Sequence, residues 1–152
     1  MLRSATAADQ ASIQALLNTI DLFPPDLLPG MMEDYLRNQD TEQCWFVHET
    51  EGALLGFCYA APEAPTDGTY NLLAIGVRTD QQGRGIGSQL MRHAETELTV
   101  AGKRLLLVDT SGTADFAPVR RFYVGLGYRQ EAVIRDYWGA GDDKVVFWKR
   151  LG

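Results

Sequence analysis

A chain of 152 residues, 45% hydrophobic and 22% charged, suits one soluble globular domain with a single sizeable core. Its formal charge of −6 and isoelectric point near 4.8 argue against a nucleic-acid partner, which calls for a basic face, and are compatible with a cationic substrate such as an amine. No apolar run approaches the ~20 residues that span a bilayer, and Met-Leu-Arg-Ser-Ala-Thr-Ala-Ala-Asp-Gln at the start has no apolar signal core, so no membrane partner and a cytoplasmic location are expected.

Leu2-Arg3-Ser4-Ala5 reads as a short first strand. Thr6 precedes Asp9 and a helical pattern at Ile13, Leu16, Leu17 and Ile20, as an N-cap would. Phe23-Pro24-Pro25 breaks that helix, and a second short one places Leu28, Met31, Met32, Tyr35 and Leu36 on one side. Strands are predicted at 44–49 and 54–61 around a Glu51-Gly52 hairpin turn. Cys44 and Cys58 lie in this apolar text and read as reduced packing residues. With no CxxC and no His cluster, no metal site is expected; His48 and His93 read as structural. A loop over 62–68 leads to a strand at 70–77, then to Gln82-Gly83-Arg84-Gly85-Ile86-Gly87. The long helix that follows has a core-packing stripe at Ile86, Leu90, Met91, Ala94 and Leu98 and stops at Gly102. Continuous Leu105-Leu106-Leu107-Val108 marks a strand over 103–109 buried on both faces. A helix over 117–126 closes at Gly127. Two last strands, 128–135 and 144–150, flank the loop Trp138-Gly-Ala-Gly-Asp-Asp143. The order β-α-α-β-β-β-α-β-α-β-β predicts one α/β (α+β) domain over 1–152, a mixed, mostly antiparallel sheet of about seven strands with helices on both faces.

A glycine turn that opens a helix presents bare N–H groups at the positive end of the helix dipole, a seat for a phosphate or diphosphate. A P-loop would need Lys before its Ser or Thr, and Gly87-Ser88 has none. A dinucleotide fold would use GxGxxG/A, which Gly83, Gly85 and Ser88 approach, with Asp109 as the ribose acid. That motif belongs to the first βαβ unit, however, and here it stands mid-chain after an antiparallel meander.

The third design is Gln-x-x-Gly-x-Gly between strand and helix. Together with Phe122-Tyr123-Val-Gly-Leu-Gly127-Tyr128 after the next strand, and with the element order, it resembles the GCN5-related N-acetyltransferase (GNAT) superfamily over nearly the whole chain. The resemblance implies that the 70–77 strand carries a bulge and splays from the 103–109 strand. The pantetheine arm of acetyl-CoA would lie in the gap, pairing with main chain at Ile75, Gly76 and Val77. The N–H groups of Gly83, Arg84, Gly85, Ile86, Gly87 and Ser88 would cradle the diphosphate, with Gln82 forming the turn and Arg84 adding a charge-assisted contact. Tyr123 aligns with the family's general acid, which protonates the leaving thiolate. Many relatives carry a Glu on the strand before the turn. Thr69-Tyr70-Asn71 has no carboxylate, so the base is assigned to Asp109 or a water chain, with Asp136, Asp142 and Asp143 as further candidates. Phe116 stands where relatives place a cofactor-contacting Asn, which Thr110 or Ser111 would replace. Arg120 and Arg121 could meet the adenosine phosphates.

By the same resemblance the acceptor side comprises Phe23, in the first helix pair, with Tyr137 and Trp138, whose rings suit a cation or an apolar chain. Trp45 and Tyr59 are further candidates for lining the pocket. The expected activity is acetyl transfer from acetyl-CoA to a primary amine of a small molecule by direct attack in a ternary complex. Transfer to a protein N-terminus or lysine, or a non-catalytic acyl-CoA-binding module, are the alternatives. Many relatives are homodimers, and no segment of the sequence marks an interface.

Overall fold

The computed structural model describes residues 1–38 and 41–152. Seven strands and four α-helices follow the predicted order: β1 (Leu2–Ser4), α1 (Gln10–Leu17), α2 (Leu28–Arg37), β2 (Cys44–Thr50), β3 (Ala53–Pro62), β4 (Thr69–Val77), α3 (Ile86–Val100), β5 (Leu105–Ser111), α4 (Ala117–Gly125), β6 (Arg129–Gly139) and β7 (Asp142–Arg150). They form one sheet in the order β1-β2-β3-β4-β5-β7-β6, antiparallel throughout except for the β4/β5 pair. α3 is the crossover that a parallel pair requires. The β2–β3 turn is tight because Glu51 and Gly52 both adopt positive φ (51° and 79°), the backbone of a two-residue hairpin.

Strand alternation divides the core between the two faces of the sheet. On one face Phe46, Cys58, Tyr70, Leu72, Leu106, Val108 and Phe147 pack under α3 and α4, meeting Leu90, Met91, Ala94, Leu98 and Tyr123. The predicted helix stripe is therefore core. On the other face Trp45, Val47, Phe57 and Ala74 pack under α1 and α2 against Ile13, Leu16, Leu17, Leu28 and Met32. The burial of Cys58 pushes its thiol up to about 12, which suits a packing residue. His48 is also structural: its Nε2 lies 2.7 Å from Gln89 Oε1 of α3. Arg3 ties the N-terminus down, with two N–H groups on Asp9 (2.7 and 2.9 Å) and one on Glu49 (2.9 Å). Among the described residues no helix is long and apolar enough to cross a membrane.

The bulge expected on the fourth strand is present, and the sixth strand is longer than expected. β4 carries a bulge: Tyr59 pairs with Ala74 and Ala60 with Leu72, so Leu73 is the extra residue. The bulge inverts the facing of the chain, sending Leu72 toward α3 but Ala74 toward α1. β6 runs on to Gly139, and Gly139 pairs with Asp142. The loop predicted over 138–143 is thus a short turn at the tip of a long hairpin. Asp136, at φ 54°, gives the bulge that carries the strand out to that tip.

Candidate active site

β4 and β5 pair only from Thr69↔Leu105 to Leu72↔Val108. Past that point both strands continue, to Val77 and Ser111, and diverge. The bulge at Leu73 sits at the start of the divergence and leaves the outer edge of β4 with free N–H and C=O groups beyond it. The resulting cleft has a volume of about 1210 Å³. Its walls come from both strands, the first turn of α3, one side of α4, residues 20–22 between α1 and α2, and the β6–β7 hairpin.

The α3 end of the cleft is built by two glycines. Gly83 (φ 78°) and Gly85 (φ 83°) both take the left-handed backbone that disfavours side chains, and Gly85 is the N-cap of α3. No side chain caps that terminus, so the first N–H groups of the helix are left for a ligand. Gln82 Nε2 donates to Val77 O at 3.1 Å, tying the turn to the end of β4. A Cβ on Gly83 or Gly85 would meet no protein atom within 4 Å, so these glycines answer to backbone conformation, not crowding. Gly76 is the reverse case. Its missing Cβ would stand 2.7 Å from Ile20 Cδ1 and 2.9 Å from Phe57 Cε1, which keeps β4 close over α1.

Two titratable side chains reach the cleft from opposite faces of the sheet. Tyr123 lies on the α3/α4 side, in ring contact with Phe122, Tyr128 and Phe147 at centroid distances of 5.2, 5.8 and 5.7 Å. Its hydroxyl has no hydrogen-bond partner among the described residues. Burial, and to a lesser degree the neighbouring Cys58, raises its pKa above the ordinary tyrosine value, so it holds its proton. Asp109 is the first β5 residue past the last β4 pairing, at the apex of the gap. Alternation points it away from Val108 and α3, toward the α1 side. There its Oδ2 accepts from Asn71 Nδ2 at 3.2 Å and pairs with Lys144 Nζ at 3.3 Å. Oδ1 has no partner among the described residues.

Residues 40–130 match the model of the GNAT acetyltransferase domain. The chain belongs to the GNAT acetyltransferase family. The phosphinothricin N-acetyltransferase of Streptomyces viridochromogenes is 28% identical over 98% of this chain and 86% of its own length. A Desulfovibrio desulfuricans protein assigned to the GNAT family superimposes with a TM-score of 0.93 at 25% identity, covering 100% of this chain and 99% of that one. A Salmonella typhimurium protein solved with its cofactor acetyl-CoA shares the fold, with a TM-score of 0.79 at 20% identity over 100% of this chain and 94% of that one. Acetyl-CoA is the acetyl donor of a GNAT acetyltransferase, and the residues present fit it: uncapped N–H groups at α3, an unpaired β4 edge and a cleft continuous between them.

In this GNAT acetyltransferase, Tyr123 and Asp109 both line the cleft. So do Ile75, Gly76, Val77, Gln82, Gly83, Gly85, Ile86, Gly87, Ser88 and Trp138. Arg84, between the two glycines of the turn, is exposed and does not line the cleft. Four expectations change. Phe23 packs against the α1/α2 core, and its neighbours Ile20, Asp21 and Leu22 line the cleft instead. Tyr137 does face a cation, but that cation is the chain's own Lys144, 4.4 Å from the ring centroid. Arg120 donates through Nη1 to the carbonyls of Ser111 (2.8 Å) and Thr113 (2.7 Å), a tie between β5 and α4, and it does not line the cleft. Trp45 and Tyr59 stack on each other at 4.2 Å within the α1/α2 core, outside the cleft. Of the further carboxylates, Asp136 and Asp143 bond main-chain N–H groups within the hairpin (2.9 and 3.0 Å), and Asp142 accepts from Ser111 Oγ at 2.5 Å at the edge of the cleft. The Ser111–Asp142 bond, Leu73 and the Asn71–Lys144 pair around Asp109 have no signal in the sequence.

Proposed function

We propose that this acetyltransferase moves an acetyl group from acetyl-CoA to the primary amine of a small molecule, by direct attack with both substrates bound. The observation that carries the reading is the placement of Tyr123 and Asp109 on opposite faces of one gap, each with its functional oxygen free of partners among the described residues. Bound acetyl-CoA supplies a thioester carbonyl as the electrophile. The α3 turn and the unpaired β4 edge orient it along the α3/α4 face. Asp109 Oδ1 holds the incoming ammonium on the other face and takes its first proton, which frees the nitrogen lone pair to attack the carbonyl carbon; the second proton, acidic once the C–N bond has formed, passes to water. Tyr123 Oη gives its proton to the sulfur as the C–S bond breaks. Ile20, Leu22, Leu73 and Trp138 supply an apolar wall beside the carboxylate.

The small-molecule reading draws on the near full-length likeness to phosphinothricin N-acetyltransferase. CoA release should be followed with a panel of phosphinothricin, free amino acids, diamines and peptides with free N-termini. Turnover of free amines and none of peptides is the expected result. Turnover confined to peptides would overturn the acceptor class, and failure to bind acetyl-CoA in calorimetry would overturn the whole reading.

A further inference from the structure

We infer that Lys144, together with the Glu63–Asn71 pair, positions Asp109 for the acceptor amine; the inference rests on the role given to Asp109 above. Four side chains from four separate places in the sequence converge here. Asn71 Nδ2 donates both to Glu63 Oε1 (2.9 Å) and to Asp109 Oδ2 (3.2 Å). Lys144 Nζ lies 3.3 Å from that same Oδ2, and Tyr137 covers the ammonium from the other side at 4.4 Å. Both contacts to the aspartate fall on one oxygen. A carboxylate held through a single oxygen by one amide donor and one ammonium cannot rotate without losing both contacts, which restrains its second oxygen. Asp109 itself lines the cleft, so that second oxygen is the one left for a ligand there.

The cluster is too enclosed to be a solvated surface pair. Asn71 is 7% exposed, and the side chains of Lys144 and Asp109 are 19% and 21% exposed. Asn71 Oδ1 is buried without a partner among the described residues, so the amide is oriented through Nδ2 alone, which needs an acceptor besides Asp109 to fix it. Glu63, on the loop after β3, is that acceptor. Placing a carboxylate so directly beside a fixed amide, and a fixed ammonium beside both, is more than the sheet needs for its pairing, since β4, β5 and β7 are already in register through main-chain bonds at these positions. Lys144 and Asn71 are therefore positioning residues, and Glu63 acts one step further out.

The test measures CoA release from acetyl-CoA with water alone and with the fastest amine of the panel, in Lys144→Met, Lys144→Arg, Glu63→Ala, Asp109→Asn and the Asp109→Asn/Lys144→Met double variant. Acetyl-CoA affinity by calorimetry and the melting temperature serve as folding checks. Lys144→Met is expected to lower the rate about tenfold to a hundredfold, the scale of a misplaced reacting group, with acetyl-CoA affinity unchanged. Lys144→Arg should recover most of it, and Glu63→Ala, at a half-exposed site where folding is not at risk, should lose a smaller part. In the Asp109→Asn background Lys144→Met should cost nothing further. Wild-type rates in both Lys144→Met and Glu63→Ala, or an undiminished effect of Lys144→Met without Asp109, would overturn the positioning role while leaving Asp109 in place. A wild-type rate in Asp109→Asn itself would overturn the reading of Asp109.

Discussion

Replacing Tyr123 by Phe separates chemistry from folding. The change removes one oxygen from a side chain that is 4% exposed and keeps the ring contacts with Phe122, Tyr128 and Phe147. The hydroxyl has no protein partner among the described residues, so its loss breaks no hydrogen bond and leaves no buried group unpaired. Stability should stay within about 0.5 kcal/mol of the parent. The rate should not. A positioned general acid contributes about 10²–10⁴ in rate, which is about 2.7–5.4 kcal/mol of barrier. Burial raises the pKa of this phenol, so the acid form persists beyond the ordinary tyrosine range, and no loss of rate on the alkaline side should trace to it near neutrality. Steady-state CoA release, calorimetric acetyl-CoA affinity and a melting curve on the same preparation decide the matter. A Tyr123→Phe protein within about twofold of the parent rate, with cofactor binding intact, would refute the argument and move the proton donor elsewhere.

Three further perturbations address the walls of the site and its scaffold. Gly85→Ala places a side chain at φ 83° where no protein atom crowds it, so the cost is backbone strain of about 1–2 kcal/mol, read as a lower melting temperature, with acetyl-CoA affinity falling about tenfold as the N–H groups of the turn shift. Ser111→Ala removes the donor 2.5 Å from Asp142 that pins the β6–β7 hairpin to β5; the KM for the amine should rise while calorimetric acetyl-CoA affinity holds. Asp9→Asn tests the N-terminal clamp by urea unfolding across pH. Arg3 above all holds the Asp9 carboxyl below its ordinary range, so the clamp's contribution, about 1–2 kcal/mol, is present above the unfolded carboxylate pKa and is lost as pH falls through the folded one. The parent and Asp9→Asn proteins should differ at neutral pH and converge on acidification.

The parts of the site that were legible in the sequence are those set by local backbone chemistry. The Gly83–Gly85 turn announces itself because left-handed backbone selects glycine, and the helix after it follows from apolar spacing. Tyr123 and Asp109, the proposed acid and base, lie toward the C-terminal ends of a well-patterned helix and strand. The bulge follows from the family resemblance, but its position at Leu73 has no mark in the sequence. It is an extra residue in an apolar run with neither glycine nor proline, and its location is fixed by the register of β3 against β4, a long-range property. The interchange of Phe23 and Leu22 has a similar origin. In an irregular segment between helices there is no period to say which neighbour points inward. The hairpin tip was read as a loop because Asp136 and Gly139 are turn formers, yet cross-strand pairing with β7 carries the strand through them. The Lys144 contact to Asp109 joins two adjacent strands that are distant in sequence, so only the assembled sheet reveals it.

The bulge also explains why one gap can serve two ligands. Without it, β4 would keep a single alternation, and residues past Leu72 would continue to face the sides they faced before. The extra residue turns Ala74 and Gly76 toward α1, where Gly76 has no room for a side chain, and leaves Ile75 and Val77 on the α3 side, where the cofactor arm would run. β5 has no such bulge, so Asp109 and Ser111 stay on the α1 face, opposite Tyr123. The two strands therefore diverge in direction and also in which face their side chains occupy. On the proposed reading, a donor bound on one face and an amine held on the other would meet at the apex, between Asp109 and Tyr123. A change that restores regular pairing there, such as deletion of Leu73, should abolish transfer even if the folded protein keeps its glycine turn, because the acid and the carboxylate would no longer look into a common space.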